Sequence, residues 1–120
     1  MKPRHDDLIF WTKWRNNQIA DYLCDLTVDQ TSSWRSERDV RKDPESNVIV
    51  FSGGGSRLTC SASALALGLC SLRHGRLHFE PVIVAGTFFD EPLSAFKAEA
   101  IALEHASLEL VNWCKGCYAR

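Results

Sequence analysis

Four groups of residues have types and spacings that could do chemistry. Gly53-Gly54-Gly55 could cradle a phosphate, but no Lys-Ser/Thr pair follows and the run does not open a helix, so a flexible turn is the better reading. Cys114-Lys115-Gly116-Cys117 has the spacing of a zinc knuckle or a redox pair. A second pair is missing and the nearest histidine, His105, shares its helix, so ordinary thiols near a helix end are preferred over a metal site. Trp11, Trp14 and Tyr22 could stack on bases, yet their helical spacing fits core or interface residues better. Arg57, Arg73, His74 and Arg76 fall at predicted strand ends, where cationic groups could meet backbone phosphates, with Gly53 to Gly55 permitting close backbone approach. The histidines show no ligand spacing, and Glu99 and Asp21, taken alone, read as solvated helix residues.

The elements that must position these groups follow from hydrophobic period and turn chemistry. Residues 6–27 read as a helix, with Leu8, Trp11, Ile19, Leu23 and Leu26 at helical spacing behind an Asp6-Asp7 pair suited to a first turn. Residues 31–46 are polar, lack apolar periodicity apart from Trp34 and Val40, and read as a linker. Val48-Ile49-Val50-Phe51 is a β-branched and aromatic run that reads as a central strand ending at Ser52-Gly53. Residues 60–72 form a second strand, Arg73-His74-Gly75 a turn and residues 76–89 a third strand, in which Pro81 points to an edge or a bulge. From Ser94, a plausible cap, residues 94–113 form a helix with Phe96, Ala100, Leu103, Ser107 and Leu110 on one stripe, widened by Ile101, Leu108 and Val111. Lys115-Gly116 reads as its stop.

Three strands then a helix, with Phe51-Ser52-Gly53-Gly54-Gly55-Ser56-Arg57 closing the first strand and Ala95-Phe96-Lys97-Ala98-Glu99-Ala100-Ile101-Ala102-Leu103 in the helix, resembles the ribonuclease H family. The likeness is greatest to the divergent domains attached to retroelement reverse transcriptases, and it covers the N-terminal half of such a domain. The family's first-strand motif is an aromatic, Ser or Thr, the first catalytic Asp, then Gly; its helix motif is Ala-Glu with small and apolar residues three and four positions on. Glu99 matches the family Glu, a catalytic and metal-binding position. Gly53 stands where the first catalytic Asp belongs, and Asp and Gly codons differ by one base. The family's third carboxylate follows a fourth strand, which the sequence through Arg120 lacks. Asn17-Gln18-Ile19-Ala20-Asp21-Tyr22-Leu23 matches the family's last segment but precedes the first strand. Asp21 is therefore a catalytic candidate in one of two settings: residues 1–30 are the tail of an upstream unit, the preferred reading, or their helix packs back as a permuted replacement.

The resemblance implies hydrolysis of the RNA strand of an RNA/DNA hybrid by Mg²⁺ or Mn²⁺, with Gly54, Ser56, Arg57 and Arg76 against nucleic acid. In the family two such ions about 4 Å apart activate a water and stabilise the leaving oxygen, and carboxylates hold them because hard cations prefer oxygen. The first Asp bridges both. With Gly53 in its place, at best one weakly held ion is expected, and the loss of several kcal/mol of transition-state stabilisation makes cleavage impaired or absent.

Composition bounds the rest. A chain of 120 residues fits one small domain that buries about two thirds of its unfolded surface. The content of 45% hydrophobic and 24% charged residues excludes disorder. A net charge of −1 leaves no global basic field, so nucleic-acid contact must be local. Five cysteines without regular spacing and no secretory signal point to an intracellular, soluble protein, and the longest uncharged apolar stretch is too short to span a bilayer. The expected fold is α/β, a partial ribonuclease H-like unit over 47–116. It has a three-stranded antiparallel sheet in order 3-2-1 plus a helix, an additional N-terminal helix on the other face or mobile, and a tail at 117–120. Its first strand keeps an open edge that invites self-association. A non-catalytic protein-interaction module or a retroelement remnant without activity is the alternative.

Overall fold

The computed structural model describes residues 18–42 and 44–119, so Trp11, Trp14 and the first twelve residues of the predicted 6–27 helix lie outside the described residues. Helix α1 spans Gln18–Gln30 and buries Ala20, Leu23, Cys24 and Thr27, one face at three- and four-residue spacing. It closes at Thr31, whose φ of 51° is left-handed and whose N–H donates to Val28 O at 3.2 Å. Strands β1 (Trp34–Glu37), β2 (Asn47–Ser56), β3 (Ser61–Arg73) and β4 (Arg76–Phe89) follow, then helix α2 (Ala95–Ala119). The strands form one antiparallel sheet in the order β1-β4-β3-β2.

The α/β class and the meander β4-β3-β2 agree with expectation, while the sheet has four strands rather than three. The extra strand, β1, lies inside the segment read as a linker. Its four residues Trp34-Arg35-Ser36-Glu37 pair with Gly86 to Ile83, and such an edge strand needs only one half-buried side chain, too little to register as alternation. Trp34 provides it, donating from Nε1 to Thr27 Oγ1 at 2.9 Å on the α1 side.

A second correction concerns the glycines. The run Gly53-Gly54-Gly55 is not a turn: β2 continues through it to Ser56, paired with Ser61 to Ala64 of β3. The reversal falls instead at Arg57 to Cys60, whose ends are joined by Arg57 N–H to Cys60 O at 2.8 Å. Close packing explains the composition. A Cβ on Gly54 would lie 2.6 Å from Glu99 N and 2.7 Å from Ala98 O, so α2 rests directly on this strand because it has no side chain there.

The β3–β4 turn has His74 at φ 52° and Gly75 at φ 75°, the left-handed pair a two-residue reversal requires. Pro81 sits beside a register shift at Leu67/Gly68, a bulge at a proline as the sequence implied, and beyond the last β1 pair, Glu37 with Ile83.

Alternation along the sheet gives it two differently filled faces. Val48, Val50, Leu65, Leu67, Leu69 and Ile83 meet Ala106 and Leu110 of α2, while Ala62, Ala64 and Ala66 meet Leu23 and Cys24 of α1. Both helices thus pack on the same sheet, on opposite faces, and α1 is built into the body rather than lying apart from it.

The face of α2 that meets the sheet also differs from the predicted stripe. Ala98, Ala102, Ala106 and Leu110 are buried, whereas Phe96 is 83% exposed and Leu103, Leu108 and Val111 are exposed as well. Only small residues fit against Gly54, so the larger apolar residues face outward. Ser94 does cap α2, its Oγ accepting from Lys97 N–H at 3.1 Å, but Lys115-Gly116 does not stop the helix, which runs on to Ala119.

Candidate functional site

Position 53 lies in the middle of the ladder. Gly53 is buried, pairs with Ala64, and its carbonyl accepts a hydrogen bond from the Cys24 thiol at 3.3 Å. By alternation its side-chain direction is that of Ala64 and Gly86, the α1 face, whereas Gly54, opposite Ser63, is directed at α2. Glu99 is exposed on α2 with its backbone N–H against Gly54. The two positions therefore lie one residue apart along β2 but on opposite faces. Asp21 is exposed in the first turn of α1, three residues before Cys24.

The electrostatics link α1 to this end of β2. Burial pushes the Cys24 thiol up to about 12, with the negative charges of Asp21 and Asp25 adding to the effect and Arg57 opposing it. Cys24 is thus a neutral thiol that fills the space below Gly53, not a thiolate. Cys24, Cys60 and Cys70 are free thiols, and the Cys117 side chain lies outside the described residues. Among the described residues no group of three or more His, Cys, Asp or Glu side chains is arranged to hold a metal ion.

The residues expected to meet nucleic acid are divided by the fold. Ser56 donates from Oγ to Leu93 O, and Ser61 Oγ accepts from Leu93 N–H at 2.7 Å, so this pair of serines fixes the backbone just before α2. Arg57 is ion-paired to Asp25 of α1, both side chains being more than half exposed. Arg76 stands at the opposite end of the sheet: β3 runs thirteen residues from Ser61 to Arg73 between the two turns, a separation of about 40 Å. Arg73, His74 and Arg76 gather instead at the β3–β4 tip, where they are exposed and make no ion pair with the described residues. Gly54 is covered by α2.

One cluster carried no signal in the sequence. Because α2 sits over β2 and β3, part of the same face of β4 and β1 is left uncovered, and a groove of about 380 Å³ runs there between Ser63, Leu65, Thr87, Ala102, His105 and Glu109. Arg35 of β1 closes one side with two hydrogen bonds to Glu109, both 3.1 Å, and one of 2.9 Å to Glu37. These bonds, Glu109 foremost, hold the guanidinium above its ordinary pKa. Ser63 is 1% exposed, and its hydroxyl has no hydrogen-bond partner among the described residues. Arg35 and Glu109 are 74 positions apart, and Arg35 sits in a segment without period, so only folding joins them.

Among the described residues no helix is long and apolar enough to cross a membrane. Compared with family models, curated proteins and solved structures, the chain shows no match.

Proposed function

We propose that the chain is a ribonuclease H-like nucleic-acid-binding domain, derived from an RNA/DNA hybrid ribonuclease and impaired in cleavage. The observation that carries this reading is that α2 at Glu99 and α1 at Cys24 meet β2 at neighbouring residues, Gly54 and Gly53, from opposite faces. Glu99 of α2 lies against Gly54, Gly53 is the next residue, and α1, with Asp21 in its first turn, hydrogen-bonds the Gly53 carbonyl through Cys24. The meander β2-β3-β4 followed by a helix across β2 and β3 supports the same reading.

The residues present do not fit a pair of divalent cations. Gly53 supplies no oxygen ligand from its side chain, and Glu99 and Asp21 are exposed on helices that cover opposite faces of the sheet. What remains for nucleic acid is charge. Arg73 and Arg76, beside His74 at the β3–β4 tip, form the cationic group best placed for backbone phosphates, with Arg57 at the far end partly neutralised by Asp25.

The test is cleavage of a labelled RNA/DNA hybrid in Mg²⁺ and in Mn²⁺ by the natural chain, Gly53→Asp, and Gly53→Asp with Glu99→Gln. The reading expects an inactive natural chain that still binds the hybrid, and because position 53 is directed at the α1 face while Glu99 lies on α2, Gly53→Asp builds no shared site and neither variant cuts. Cleavage by the natural chain that is indifferent to Glu99→Gln overturns it. Hybrid binding is measured alongside and should weaken steeply with salt.

A second reading, a non-catalytic protein-interaction module, draws on the exposed Phe96, Leu103, Leu108 and Val111 of α2. Binding through such apolar surface would be insensitive to salt.

A further inference from the structure

We propose that β2 is a homodimerisation edge, pairing antiparallel with β2 of a second copy about a two-fold axis. The two edges of the sheet are built differently. β1 is four residues long and carries Arg35 and Glu37, the short, charged design that blunts an edge against pairing. β2 is ten residues long, Asn47-Val48-Ile49-Val50-Phe51-Ser52-Gly53-Gly54-Gly55-Ser56, with no charge and no proline, and among the described residues it pairs on one side only.

The helix above this edge supplies the second half of the contact. His105 and Glu109 project from the α2 flank that lies over β4 and β1, where Glu109 meets Arg35. Helical periodicity puts Phe96 and Leu103 on the other flank, toward β2, where they are 83% and 45% exposed. Pairing β2 with its symmetry mate brings the two α2 helices side by side and antiparallel on one face. Because α2 lies across β2 and β3 of its own sheet, pairing the two β2 edges brings the helices next to each other, within reach of helix packing. Phe96 and Leu103 of each copy then face the other helix.

A second copy is favoured as occupant because the edge is uncharged and self-complementary. A two-fold axis pairs it with itself without juxtaposing like charges, and two chains of net charge −1 repel little. The closed arrangement also removes the exposed edge from each protomer.

The test is sedimentation velocity on the full chain across micromolar concentrations, beside Leu103→Lys and Ile49→Lys, with hydrogen exchange of the 47–56 amides. The expected result is a species of twice 13.5 kDa. It should be weakened about tenfold or more by either lysine, with unchanged far-UV circular dichroism and amide protection that grows with concentration. A monomer at every concentration, a dimer that survives both lysines, open-ended larger assemblies, or protection of 47–56 independent of concentration each overturns the proposal.

Discussion

Replacing Gly54 by alanine should lift α2 from the sheet, while the same change one residue later should do almost nothing. The added Cβ at position 54 would meet Glu99 N at 2.6 Å and Ala98 O at 2.7 Å, and Ala98 C closer still, all of them backbone atoms that no rotamer change can move. Ordinary contact begins near 3.4 Å, so the helix must retreat by close to 1 Å. That shift thins the packing of Ala98, Ala102 and Ala106, which are at most 1% exposed. Overpacking of this kind costs about 1–3 kcal/mol, and rigid backbone on the opposing side places Gly54→Ala toward the upper end. At Gly55 a Cβ would meet nothing within 4 Å, so Gly55→Ala should be neutral or stabilising by up to about 1 kcal/mol through the unfolded chain. Urea unfolding followed by circular dichroism gives both values on one scale. Equal effects for the two variants, or a loss below about 0.5 kcal/mol at Gly54, would refute close packing as the reason for these glycines.

Three further outcomes follow from particular contacts. Gly86→Ala should cost about 2 kcal/mol, because its Cβ would displace Thr27 Oγ1 and lie 2.6 Å from Trp34 Nε1, breaking the bond between them; loss of stability without a change in tryptophan fluorescence would argue against that cause. Ser63→Ala should leave stability unchanged or raise it by about 1 kcal/mol, since the hydroxyl is buried without a partner among the described residues; a clear loss in urea unfolding would show that a hidden hydrogen bond exists. The Cys24 thiol titrates near 12 in the folded state and near 9 when unfolded, so the unfolded state binds fewer protons between those values and stability falls as pH rises through that window. Cys24→Ala should flatten the fall, and native Cys24 should resist iodoacetamide at pH 8 until the chain is unfolded; an equal pH slope in the variant would remove Cys24 as its source.

Local residue chemistry is enough to set the meander and its turns. Val48 to Phe51, the long strands on either side of His74-Gly75, the bulge beside Pro81 and the Ser94 cap are local matters of side-chain shape and allowed backbone angles, and each stands where residue type places it. Tertiary structure decided what locality does not encode. A strand as polar as Trp34 to Glu37 exists because β4 offers it an edge and Thr27 offers Trp34 a partner. Three glycines form a strand rather than a turn because a helix lies on one of them. The same close approach reverses the reading of α2, burying its alanines and turning Phe96 and Leu103 outward, since distance to the sheet rather than hydrophobicity selects the face. The candidate site divides in the same way: the types of residues 53 and 99 were legible in the chain, but their opposite faces, the ion pair between Arg57 and Asp25, and the joining of Arg35 to Glu109 depend on contacts between segments far apart in sequence.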